Sequence, residues 1–344
     1  MKHYVGLDIS MKETFICIED ETGKIIAQGK TKTEPELIAN YIKKFEVEID
    51  KVGLESGSLS HWLLSELKAL SIPAICIDAR KMAAMLAVQI NKTDKNDARG
   101  IATAMRSGLY RETTEKSARQ LEIGTLLGCR RLLVNQKVKI SNTVRGFLKT
   151  YGIRLSSSGE KSFGENVRKA MEDKHAIAKE GIESLLRSYE NTLKELKELT
   201  QKVEVLAKEN EAVKRLMTIP RIGPITALSF AVEIGNPKRF KKSKQVGAYL
   251  GMTPRQYSSG ETHRQGRISK CGSCEVRTLL NEGGLVLLTR SQKWSKLKAW
   301  GLKIYRKHGM KKASMAVGRK LAVIMHKMLL NETDFMYGEE KKAA

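Results

Sequence analysis

The sequence predicts a mixed α/β sheet domain followed by helical regions, and three observations predict it. Short apolar runs with strand character crowd the N-terminal part of the chain, and turn residues separate the first of them. Helical periodicity then alternates with further strands, as βαβ units require. Beyond about position 114, long amphipathic and basic patterns replace the strand signal.

In order, residues 3–9 (HYVGLDI), 13–20 (ETFICIED) and 24–31 (KIIAQGKT) read as strands, with Glu21-Thr22-Gly23 as a turn. Pro35 to Phe45 reads as an amphipathic helix. Val47 to Ser56 follows as a strand whose apolar part, Val52-Gly53-Leu54, runs into Glu55. Trp62 to Leu70 is helical, Ile72 to Ala79 is another strand, and a helix starts near Asp94. A meander followed by βαβ units gives a mixed sheet with helices against it.

Thr114 to Tyr151 reads as a long basic helix carrying Arg130, Arg131, Lys137, Lys139, Arg145 and Lys149. After a break near Ser156-Ser157-Ser158-Gly159, a second helical region runs to about Asn210. In it Leu186, Tyr189, Leu193, Leu196 and Val203 share a heptad-like seam, weakened by Thr200 and Ala207. A coiled-coil hairpin with a dimer contact and an ordinary intramolecular helix pair both fit. The expected boundaries are 1–112 for the sheet domain, 113–212 for the helical middle, 213–332 for a helical C-terminal domain and 333–344 for a polar tail.

Among 344 residues, 62 Lys and Arg against 38 Asp and Glu give a net charge of +24. That excess points to a polyanion, and nucleic acid fits better than a membrane surface because no basic amphipathic helix stands at a terminus. No run approaches the ~18 apolar residues of a membrane helix, and no apolar signal core opens the chain. Five scattered cysteines fit a reduced, cytoplasmic protein. Cys271 and Cys274 form a lone CxxC, too few ligands for zinc.

The stretch Asn91-Lys-Thr-Asp-Lys-Asn-Asp-Ala98 places Asp94 and Asp97 three residues apart at a helix start, on one face. Acids also favour helix N-termini, and Thr93 fits a capping role. Asp8 and Glu55 are uncomfortable residues for otherwise apolar strands. In a ribonuclease-H-like sheet their two strands lie side by side, so Asp8, Glu55, Asp94 and Asp97 would form one carboxylate cluster. Such a cluster holds Mg²⁺ for phosphoryl transfer.

Leu216-Met-Thr-Ile-Pro-Arg-Ile-Gly-Pro-Ile-Thr-Ala227 is similar to a helix-hairpin-helix element, with Gly223 allowing the turn and backbone N–H groups holding a DNA phosphate. Lys238, Arg239, Lys241 and Lys242 form a basic cluster nearby, suited to phosphate or to a solvated face. Downstream, Ser258 and Ser259 precede Gly260, with His263, Arg264, Arg267 and Lys270 close in sequence. A serine beside cations on a flexible turn suits attack on phosphorus, although Ser-Ser-Gly is also ordinary loop sequence.

Taken together, the early strand Asp, the GLES Glu, KTDKNDA, IPRIGPITA and GMTPRQYSSG followed by GRISKCG resemble the DEDD transposases of the insertion-sequence one-ten group. That group is related to the Piv and MooV site-specific DNA invertases, and the resemblance covers nearly the whole chain. It implies a RuvC-like N-terminal domain, a coiled-coil middle and a C-terminal transposase domain bearing a nucleophilic serine. It assigns Asp8, Glu55, Asp94 and Asp97 to Mg²⁺ and Ser259 to the nucleophile, with Ser258 as its rival in the doublet. Arg264 or Arg267 would steady the phosphorus, and Arg130, Arg131 and Lys270 join the basic residues expected on nucleic acid. It further implies a phosphoserine link to DNA, a noncoding bridge RNA and a homo-oligomer, dimer or tetramer. Two readings compete: a RuvC-like junction resolvase using metal-activated water, and a non-catalytic nucleic-acid-binding protein.

Overall fold

The structure, a computed structural model, describes residues 1–87, 92–156, 159–172 and 175–337. Asn91 at the head of the acidic stretch, Ser157 and Ser158 in the expected break, and residues 338–344 of the tail lie outside the described residues. The chain divides into two compact units, Met1–Ser117 and Ala118–Ala344.

The first unit is built from β1 (His3–Ile9), β2 (Glu13–Asp20), β3 (Ile25–Lys32), α1 (Pro35–Lys43), β4 (Ile49–Glu55), α2 (Ser60–Ala69), β5 (Ala74–Ile77), α3 (Ala79–Leu86) and α4 (Asp94–Ser107). The sheet order is β3-β2-β1-β4-β5. The three meander strands pair antiparallel, and β1, β4 and β5 run parallel. Strand alternation splits the apolar residues between two faces. Val5, Leu7, Ile16, Ile18, Val52 and Leu54 form a core with Ile38 and Ile42 of α1 and Leu63, Leu64 and Leu67 of α2. The opposite face receives α4, whose Ala98 and Ala102 pack with Cys17. Both faces are therefore covered, as parallel strands demand.

Sequence reasoning missed α3, because the helix starts where the strand was expected to end. Asp78 was the available signal: its carboxylate accepts from the N–H groups of Arg80 and Lys81 at 2.9 and 3.3 Å. Thr93 does cap α4, accepting from the Asn96 N–H at 3.2 Å.

The second unit comprises α5 (Ala118–Thr150), α6 (Phe163–Ala170), α7 (Ala176–Glu209), α8 (Glu211–Met217), α9 (Pro224–Ile234), α10 (Lys244–Tyr249), β6 (Pro254–Ser259), β7 (Thr262–Ile268), α11 (Cys274–Arg290), α12 (Lys296–His308) and α13 (Met310–Asn331). Helices α5 and α7 pack together, tied by the Arg130 Nε–H donating to Thr200 Oγ1 at 2.9 Å. Leu186, Tyr189, Leu196 and Val203 of the heptad-like seam are buried within this single chain. Leu186 and Tyr189 close a core with Val144, Phe163 and Val167, while Leu127 and Val203 join the core of α8, α9, α11 and α13.

Two expectations for this unit need correction. It is not wholly helical: Pro254–Ser259 and Thr262–Ile268 pair as an antiparallel ribbon. Every residue of β6 is exposed, so no apolar face existed to betray the strand. Nor does Gly223 make the turn between α8 and α9. Its φ of −91° and ψ of 177° are open to any residue, and Arg221 carries the positive φ, 68°.

Candidate functional site

The acid cluster follows from register. Leu7 pairs with Leu54, so Asp8 and Glu55 come one step later at the C-terminal ends of adjacent parallel strands. Leu7 and Leu54 point into the α1–α2 core, so alternation sends Asp8 and Glu55 to the face that carries α4. Gly6 lets the helix approach. A Cβ there would stand 2.0 Å from the Ala98 oxygen and 2.4 Å from the Ala102 nitrogen. Only a residue without a side chain admits α4 so close, and this contact brings its first turn, with Asp94 and Asp97, to the strand ends.

The rotation of α4 is fixed by a residue that sequence reasoning missed. Glu19 on β2 is buried, and the Thr103 hydroxyl donates to its carboxylate at 3.0 and 3.1 Å. Arg99 and Arg106 reach it at 3.7 and 3.5 Å. The available signal was an acid interrupting ETFICIED, an apolar strand.

The carboxylates feel one another. Burial, then the charges of Asp97 and Asp94, push Asp8 up to about 6, against a lowering by Lys92. Burial, then Asp8 and Asp97, raise Glu55. Asp97 is buried with its Oδ1 lacking any hydrogen-bond partner, whereas Asp94 is exposed. An orphaned carboxylate oxygen among repelling acids is a donor set that fits a hard divalent cation. As placed, no group of three or more His, Cys, Asp or Glu among the described residues could hold a metal ion, so the acids share charge without forming a metal site.

The serines stand on the ribbon, at the end of a strand rather than in a loop. Ser259 pairs with Thr262 across Gly260-Glu261, and Gly260 takes a φ of 53°, as the first position of a tight hairpin turn requires. Alternation separates the two serines. Ser258 faces His263, its Oγ 3.1 Å from Nδ1. Ser259 shares its face with Tyr257, Thr262 and Arg264. The ribbon's foot is held by close backbone packing. A Cβ on Gly251 would meet the Cys271 oxygen at 2.2 Å, and one on Gly272 the Tyr249 oxygen at 2.2 Å. Arg277, buried beneath, donates to the carbonyls of Leu250 and Cys271 at 3.0 and 2.9 Å. The Cys271–Cys274 segment is thus the ribbon's anchor and the start of α11, which Ser273 caps by accepting from the Val276 N–H. Both cysteines are free thiols.

The basic candidates separate into two kinds. Arg130, Arg131 and Gly223 meet in an open groove of about 930 Å³ lined also by Pro224 and Thr226 at the start of α9. Acids share it: Arg131 stands 3.8 Å from Glu275, whose pKa burial raises. Arg239 is committed to packing, its guanidinium over the Phe240 and Tyr249 rings at 4.4 Å from each and its Nε–H on the Ile234 carbonyl. Lys238, Lys241, Lys242 and Lys270 are exposed. The loop that bears the first three is pinned by buried His326, bonded to Pro237 O and Ser243 Oγ at 2.9 and 3.0 Å.

Two family models match this chain: one described as a transposase with a DEDD domain, over residues 5–153, and one as the transposase IS116/IS110/IS902 family, over residues 213–299. The chain is 29% identical to the transposase for insertion sequence element IS1111A of Coxiella burnetii, over 97% of this chain and 91% of that protein. A probable family 20 transposase of Pseudomonas aeruginosa is 27% identical over 83% of this chain and 86% of its own length. A pilin gene-inverting protein of Moraxella bovis is 36% identical over 21% of this chain and 22% of its own. No helix among the described residues is long and apolar enough to cross a membrane. A DEDD-type domain implies use of a divalent metal, and a transposase acts on DNA. The chain belongs to the IS110 family of transposases, enzymes that cut DNA and rejoin it.

Proposed function

We propose that this chain recombines DNA through a phosphoserine intermediate, with Asp8, Glu55, Asp94 and Asp97 holding Mg²⁺ near the reacting phosphate. The observation that carries the metal half is the unpartnered, buried Asp97 oxygen among mutually repelling carboxylates. When bound, the cation neutralises phosphate charge and lowers the pKa of an attacking hydroxyl.

The serine step belongs to the ribbon. A serine Oγ bonds to phosphorus while the bond from phosphorus to the leaving strand oxygen breaks, freeing a hydroxyl end. The reverse attack by a strand hydroxyl rejoins DNA and releases the serine. Ser259 is the nucleophile by resemblance, and Arg264 is the cation on its face. Ser258 has one specific observation in its favour: His263 Nδ1 at 3.1 Å is placed to accept its proton. The bridge RNA and the oligomer extend the same reading, supported by the +24 charge and by no contact of this single chain. Similarity to a pilin gene-inverting protein supports strand exchange as the outcome, by transposition or inversion.

The test uses a suicide junction substrate with flanking RNA and Mg²⁺, read as a DNA-linked protein band on a denaturing gel. The band is expected for the wild type and lost in Asp94→Ala and in one serine variant. Cleavage without a linked band, surviving both Ser258→Ala and Ser259→Ala, would make this a nuclease that uses water.

A further inference from the structure

We propose that α12 and α13 form a binding face for single-stranded DNA, with Trp300 as the platform on which an unpaired base stacks. From Gly283 to Asn331 the chain contains twelve Lys and Arg and not one Asp or Glu, half of its net charge of +24. An acid-free run of that length is more than a solvated helix face needs, since surface helices normally mix both signs. Lys296, Trp300, Lys303 and Lys307 fall at helical spacing along one side of α12, and all four are exposed. Trp300 keeps 39% of its surface in solvent and Trp294 keeps 56%, an unusual exposure for the largest apolar side chain.

The cations and rings are already matched. Lys320 Nζ of α13 lies over the Trp300 ring at 5.5 Å, Lys298 over Trp294 at 5.8 Å and Lys293 over Tyr337 at 5.4 Å. Trp300, Phe335 and Tyr337 wall a cavity of about 320 Å³ whose rim carries Lys296 and Lys320. Aromatic walls beside lysines are the two parts of a single-strand site, one for the base and one for the phosphate. A duplex fits this arrangement poorly, because its bases are stacked on one another and offer no face to a ring. DNA is the occupant because a transposase that cuts and rejoins strands exposes unpaired DNA. Trp300, Lys303, Lys307 and all of α13 lie beyond the residues that the family models match, while Trp294, Lys296 and Lys298 fall at the end of the second match. The proposal rests on DNA as the substrate and not on the serine or the metal.

The experiment uses the full chain with Trp62→Phe and Trp294→Phe, which leaves Trp300 as the sole tryptophan. It is titrated without divalent metal with a labelled oligothymidylate of about 15 nucleotides. Trp300 emission is expected to quench along the same isotherm as the anisotropy of the label, while duplex DNA gives anisotropy without quenching. Trp300→Leu weakens single-strand binding about tenfold, and Trp300→Phe, which keeps a ring, restores most of it. Lys320→Gln makes the slope of log affinity against log salt shallower by about 0.7. Saturating anisotropy with no quenching would overturn the proposal. So would tighter binding of oligouridylate, or quenching by anionic vesicles in place of DNA. Loss of the DNA-linked band with intact quenching would sink the serine reading and leave this one standing.

Discussion

The carboxylates of the N-terminal unit stand on backbone packed from both sides, whereas the serines of the C-terminal unit stand on a strand with every residue exposed. Asp8 and Glu55 are placed by register and alternation, and Asp97 by the contact of Ala98 with Gly6. The serines are placed by a clamp at the far end of their ribbon, where Gly251, Gly272 and Arg277 meet. One half of the proposed chemistry is thus part of a core, and the other is held out from one. Substitutions at the acids should therefore couple chemistry to stability, and substitutions at the serines should separate them.

The largest expected effect tests that separation directly. Asp97→Asn and the nucleophile's Ser→Ala variant should each lower DNA linkage by at least about a thousandfold. Their stabilities should differ. Removing one of several repelling carboxylates is expected to stabilise the metal-free protein by on the order of 1 kcal/mol, while an exposed serine change leaves it within about 0.5 kcal/mol. Calorimetry of both variants without metal checks this, and equal melting temperatures would break the comparison. His263→Ala and Arg264→Ala sharpen it further. Loss of linkage mainly in the first assigns Ser258, and mainly in the second assigns Ser259.

Next in size are the glycines. Gly6→Ala drives a methyl into the Ala98 and Ala102 backbone and is expected to cost about 1–3 kcal/mol or more. Gly57→Ala, in open space, should cost little. Gly251→Ala combines a φ of 66° with a clash at Cys271, so it should abolish linkage by dislodging the ribbon. Gly260→Ala meets nothing and should cost only the ~1 kcal/mol of its positive φ. Urea titrations of the four variants would rank them, and a harmless Gly6→Ala would mean that α4 does not rest on β1.

How much of this could be read in advance follows from the same contrast. The sheet was legible because its strands alternate around an apolar core, and Asp8 and Glu55 stood out because they interrupt it. The ribbon was not, since PRQYSS and THRQGRI carry no apolar side to register a period of two. Helix α3 was hidden by starting directly at the end of β5. Arg239 read as a phosphate contact because its charge is visible in sequence while its stacking on Phe240 and Tyr249 is not. Glu19 was overlooked for the converse reason: its partners Thr103, Arg99 and Arg106 lie on a helix far along the chain.

The last comparison concerns the buried polar group of each unit. Thr103→Val removes a hydroxyl that donates to the buried Glu19 carboxylate and should cost about 1–3 kcal/mol, read by urea titration. The corresponding group of the C-terminal unit responds to pH. His326 is buried, and burial, with the nearby Arg239 charge, lowers its pKa below the usual 6.5 against the opposing effect of its hydrogen bond to the Pro237 carbonyl. Bonded to a carbonyl at Nε2 and to the Ser243 hydroxyl at Nδ1, the ring is neutral, with its proton assigned to Nε2 by that carbonyl. A lowered folded pKa means that this contribution is complete above about 6.5 and is lost as pH falls through the folded value, because the unfolded histidine takes up its proton first. His326→Gln keeps a donor and an acceptor without titrating. Between pH 8 and pH 5 the wild-type melting temperature should fall more steeply than that of His326→Gln, by no more than about 1.4 kcal/mol per pH unit in stability. Parallel curves would show that the histidine holds the Pro237–Ser243 loop without sensing pH, leaving the basic cluster equally placed at either end of that range.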